Sequence, residues 1–125
     1  MRLILTRIHG MLDYLMGLLL IASPWIFGFA DAGNAGRLVP SILGAGVIVY
    51  SLLTRYELGL APLIPMPVHL GIDAAGGLLL AASPWLFGFA DRVWVPHLVF
   101  GLLEIGAALL TRTVPDGELA PATTN

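Results

Sequence analysis

The chain has 125 residues, of which 58 % are hydrophobic and 11 % charged, with a formal net charge of −2, no lysine and no cysteine. Six basic and eight acidic side chains cannot cover a soluble surface of this size, so lipid is the expected solvent. The near-neutral charge excludes nucleic acid as a partner, and the lack of cysteine excludes disulfides and thiolate metal sites.

In chain order, residues 1–7 form a short basic entry holding Arg2 and Arg7. Residues 8–29 are apolar except for His9, Asp13 and Ser23. At ~1.5 Å per residue such a helix crosses a ~30 Å hydrocarbon core. The basic start, the leucine run and Ala30-Asp31-Ala32 also suit a cleavable signal. A signal core rarely carries His and Asp, however, and the same segment recurs in mid-chain. The block Ser23-Pro24-Trp25 is expected to end or kink the helix, because proline has no N–H and clashes with the carbonyl four residues back. The aromatic residues after it suit a membrane–water boundary.

Residues 32–37 read as a loop, and residues 38–53 as a second span in which Gly44-Ala45-Gly46 admits a close neighbour. Residues 58–67, with Pro62, Pro65 and Pro67, read as a stiff linker. The third span is 68–89, the fourth 93–110, and residues 113–125 form a polar tail expected to be disordered.

The chain duplicates itself. Between 9–31 and 69–91, 15 of 23 positions are identical without a gap, which chance does not produce. Ser83-Pro84-Trp85 repeats the first block, and Leu-Leu-Thr-Arg at 52–55 returns at 109–112. The domain reading is therefore repeat 1 over 1–57, the linker over 58–67 and repeat 2 over 68–112. The expected fold is all-α: an integral membrane four-helix bundle of two tandem two-helix repeats, related by a pseudo-twofold along the membrane normal. Arg2, Arg7, Arg55 and Arg112 on one side, against Arg37 and Arg92 on the other, put both termini in the cytoplasm. Paired spans closed by Ser-Pro-Trp resemble the SPW-repeat family of small bacterial membrane proteins. The resemblance covers residues ~8–112; it implies a four-helix protein of the bacterial plasma membrane and carries no activity.

The chemistry lies in the polar groups inside the spans. His9 and Asp13 are spaced i, i+4 and share a helix face, as do His69 and Asp73. His97 and Glu104 lie on one face of the fourth helix and have no counterpart in repeat 1. Counting inward from the cytoplasmic boundary, at Arg7, Pro67 and Arg112, puts Asp13, Asp73 and Glu104 at one depth, roughly 9–12 Å inside, with His97 alone near the outer end. Three readings stay open. The cluster of His9, Asp13, His69, Asp73 and Glu104 is interhelical glue in a structural or accessory subunit, or a site for a divalent metal or other cofactor, or a proton or ion path. No phosphate loop, nucleophile elbow or His-Glu-x-x-His motif is present, so no catalytic residue is assigned. The expected partners are the lipid bilayer and either a second copy or another membrane subunit.

Overall fold

The computed structural model describes residues 2–115. It has four helices: α1 (Thr6–Ile26), α2 (Asn34–Leu52), α3 (Met66–Leu86) and α4 (Val95–Leu110). Most of the expected tail, 116–125, lies outside the described residues. Helices α1 and α2 pack as one hairpin, α3 and α4 as another, and α2 meets α3 between them. Two helices, α2 and α3, are each long and apolar enough to cross a membrane, while α4 is apolar but has 16 residues.

The first helix of each repeat ends in its Ser-Pro-Trp block, as expected, though not at the proline itself. Both helices run two residues past it, to Ile26 and Leu86. Proline leaves the carbonyl four residues back without its donor, and that carbonyl belongs to Leu20 or Leu80. The serine hydroxyl fills the gap: Ser23 Oγ donates to Leu20 O at 2.8 Å, and Ser83 Oγ to Leu80 O at 2.7 Å.

Glycine then stops each helix. Gly28 and Gly88 have φ of 73° and 74°, the left-handed conformation that costs glycine nothing. The next N–H turns back, Phe29 to Pro24 O and Phe89 to Pro84 O, each at 2.8 Å, as in a Schellman cap. That cap is why α1 and α3 end before the 29 and 89 expected from hydropathy. Phe29 and Phe89 tuck inside, while Trp25 and Trp85 stay 63 % and 56 % exposed. Ser83→Ala should strand a buried carbonyl and cost about 1–3 kcal/mol, read as a lower thermal midpoint in mild detergent.

The hairpins cross where glycine faces glycine. A Cβ on Gly44 would lie 2.5 Å from Gly17 O, and one on Gly77 would lie 2.7 Å from Gly101 O. Only glycine lets the backbones approach so closely. Of the Gly44-Ala45-Gly46 run, Gly44 makes the contact, and a Cβ on Gly46 would meet nothing within 4 Å.

Beyond the helices, short extended segments pair in the same way twice. Ile4 N donates to Leu110 O at 2.8 Å and Arg112 N to Ile4 O at 2.9 Å. In the other copy Ile64 N donates to Leu53 O and Arg55 N to Ile64 O, both at 2.8 Å. Each repeat's entry thus pairs with the exit of a second helix, and this fixes Thr54 and Thr111 beside the bundle core. The linker is shorter than expected, because Pro67 sits in the first turn of α3, where a missing N–H is harmless.

Polar side chains share the interior with Leu20, Val47, Met66 and Leu80, and many large apolar ones face outward. Inside lie Thr6, His9, Asp13, His69, Asp73 and His97, while Leu15, Leu18, Ile42, Leu78 and Leu102 are exposed.

Candidate functional site

The i, i+4 spacing turns His9 and Asp13 of α1, and His69 and Asp73 of α3, toward each other. All four are buried, and one ligand atom from each lies within 4.8 Å of the others. The pairing crosses between repeats. His9 Nε2 is 2.7 Å from Asp73 Oδ2 and 3.0 Å from Asp13 Oδ1. His69 Nε2 is 2.9 Å from Asp13 Oδ2 and 3.2 Å from Asp73 Oδ2. The two rings meet edge to face with centroids 5.6 Å apart.

The far side of each ring is held by a threonine. Thr111 Oγ1 lies 2.6 Å from Ala107 O and 2.7 Å from His9 Nδ1. Thr54 Oγ1 lies 2.6 Å from Tyr50 O and 2.7 Å from His69 Nδ1. A hydroxyl has one proton to give. Each threonine spends it on the carbonyl, so its oxygen accepts from Nδ1–H. Nδ1 therefore carries a hydrogen in both rings, and Nε2 is the atom aimed at the centre.

Tyrosines close the carboxylates from outside. Tyr50 Oη donates to Asp73 Oδ1, and Tyr56 Oη donates to Asp13 Oδ2 at 2.9 Å. Burial, reinforced by the Asp13 carboxylate, pushes the Tyr56 phenol upward from its ordinary value, so it stays a protonated donor. Tyr56 lies in the segment between α2 and α3, which Tyr14 Oη anchors to α1 through Leu58 O at 2.7 Å.

The remaining sequence candidates fall elsewhere. Glu104 lies close to the tetrad without joining it: among the described residues no hydrogen bond or ion pair reaches its half-buried carboxylate. It borders a cleft of about 410 Å³ between α1 and α4, which His9, Asp13 and Asp73 also line. It borders as well a smaller one, about 220 Å³, between α2 and α3. His97 stands apart, as expected. Its Nε2 donates to Gly36 O at 2.9 Å, and its ring lies between Phe29 and Phe89 at centroid distances of 5.0 and 4.9 Å.

Sequence reasoning missed Thr54, Thr111, Tyr50 and Tyr56. The threonines had a signal, the repeated Leu-Leu-Thr-Arg. The tyrosines had none, since Tyr50 aligns with Ala107 and the pattern differs between repeats.

No curated protein and no solved structure matches the chain. The model of the SPW repeat domain matches residues 7–111, a stretch that takes in all four helices, both Ser-Pro-Trp blocks and the crossed tetrad, and the chain belongs to the SPW repeat family.

Proposed function

We propose that the chain is a four-span protein of the bacterial plasma membrane whose tetrad of His9, Asp13, His69 and Asp73 holds a divalent cation between the two repeats. Lipid as solvent accounts for the many outward-facing leucines and for the exposed Trp25 and Trp85 at the helix ends. The recurrence of the crossed histidine–aspartate pairs, the histidine–threonine contacts and the serine caps in both repeats supports a pseudo-twofold along the membrane normal. The arginine distribution supports cytoplasmic termini. Reporter fusions at residue 125 and in the 32–37 loop test the orientation, and an outside C-terminus overturns it.

One observation carries the cation reading: both imidazoles have Nδ1 tied to a threonine, which leaves two Nε2 atoms and two carboxylates converging on one point. That is how a histidine ligand is oriented for a metal. Two imidazoles and two carboxylates suit zinc or a similar borderline ion, and two carboxylates balance a double positive charge. Tetrahedral zinc with bonds of about 2.0–2.1 Å sets ligand atoms about 3.4 Å apart. The observed N···O separations run from 2.7 to 3.2 Å, so the site needs to open by a few tenths of an ångström.

The test is zinc titration of the full chain in mild detergent against a chromophoric chelator. One equivalent of competed zinc is expected, and Thr111→Val, which frees His9 Nδ1, should weaken it about 10–100-fold. A parent that binds no zinc, manganese or iron overturns the reading.

A second reading has its own support. Each Nε2 and each carboxylate already has a protein partner, so the tetrad also serves as a clamp between repeats in a structural or accessory subunit. Leu20 and Leu80, both fully buried, follow Asp13 and Asp73 two turns along their helices and weigh against a proton or ion path.

A further inference from the structure

The two grooves between the hairpins are equivalent in the repeat but differ in what fills them. On the α2–α3 side Tyr50 projects inward and covers Asp73. The aligned residue on the α1–α4 side is Ala107, so that groove stays open down to His9 and Asp13. Its size of about 410 Å³ falls in the ~300–1,000 Å³ range of small-molecule sites. Its walls are Leu12, Leu15, Met16, Leu19, Leu102 and Leu103. Glu104, which aligns with Val47 in repeat 1, also borders it, so two of the exchanges between the repeats, Tyr50 for Ala107 and Val47 for Glu104, distinguish the two grooves. An acidic group stands where the other repeat has valine, without a partner among the described residues, and a cation beside it would compensate its burial.

We propose that the α1–α4 cleft binds a lipophilic ammonium, its charged nitrogen on Glu104 and its apolar body along the leucines of α1 and α4. The charge chooses this occupant over a lipid tail: an acyl chain would fill the walls and leave the carboxylate uncompensated. An ammonium supplies up to three donors, and Glu104 accepts from it with charge assistance. This inference rests on the membrane reading, which opens the cleft to lipid. It does not depend on what the tetrad holds.

Photolabelling the full chain in mild detergent with a diazirine-bearing alkylamine tests it, with and without a chelator so that a metal-free tetrad is read separately. Labels are expected on residues 12–19 and 102–110, and excess dodecylamine should compete while dodecanol should not. Glu104→Gln should lower labelling about tenfold, the loss of about 1.4 kcal/mol of binding. Gly106→Leu, where an added Cβ meets nothing within 4 Å, should block the cleft without disturbing the fold, so it reads even if the Glu104 variant fails to fold. Equal competition by dodecanol, labels spread over the whole lipid-facing surface, or labelling unchanged by Gly106→Leu overturns the proposal.

Discussion

Asp73→Asn is expected to abolish stoichiometric zinc binding, with an affinity loss beyond the roughly 100-fold upper end seen when only a ligand's supporting partner is removed. Asp73 Oδ2 lies within 3.2 Å of both Nε2 atoms, while Oδ1 accepts from Tyr50. The amide keeps the shape but loses the charge, and it places an N–H₂ where an acceptor is needed. The same variant separates the two readings when unfolding is followed without metal. If the tetrad is a charged pair of pairs, breaking it should cost about 3–5 kcal/mol. If it is ordinary interhelical hydrogen bonding, the loss should sit near 0.6 kcal/mol. Asp31→Asn, a change outside the four helices, is the control for nonspecific effects.

Gly101→Ala is the second large effect. A methyl group there would lie 2.5 Å from Ala81 N and 2.7 Å from Ala81 Cβ, so α3 and α4 must separate. Because the obstacle is backbone, no rotamer relieves it, and the cost should reach or pass the top of the ~1–3 kcal/mol usual for overpacking. The α3 glycines at 71 and 76 supply the contrast, since an added Cβ at either meets nothing within 4 Å. Gly71→Ala and Gly76→Ala should therefore be neutral or stabilising by up to about 1 kcal/mol through helix propensity. Thermal unfolding in detergent, followed by circular dichroism, ranks all three. A Gly101→Ala variant as stable as the Gly71→Ala variant would mean that the helices do not cross at this point.

The sequence was most legible where a pattern is local and repeated. Helices, hairpin pairing and the shared faces of His9 with Asp13 and His69 with Asp73 all follow from spacing on a 3.6-residue period. The helix ends were less legible, because hydropathy continues through Phe27 and Phe29 whereas the backbone turns at Gly28. The cap is conformational, and a hydropathy window does not register it. The crossed pairing was not legible either. An i, i+4 pair on one helix satisfies itself on paper, and only the placing of α1 opposite α3 shows that His9 lies closer to Asp73 than to Asp13. Counting residues along α4 put Glu104 among the expected ligands. Counting along a helix gives height but not the lateral distance that keeps it out of hydrogen-bond reach.

The twin extended pairings have a topological meaning. Ile4 beside Leu110 and Arg112 brings the start and end of the described chain together, in the same way that Ile64 beside Leu53 and Arg55 brings together the two ends of the internal connection. The same extended pairing therefore closes two seams of the bundle, one bridged by covalent linkage and one left open. Circular permutation, opening the chain within 58–62 and joining 115 to 2 through a short linker, exchanges the two seams. Each histidine keeps its threonine and each crossed pair its partner. The order in which the repeats are synthesised is thus separable from the site they build together.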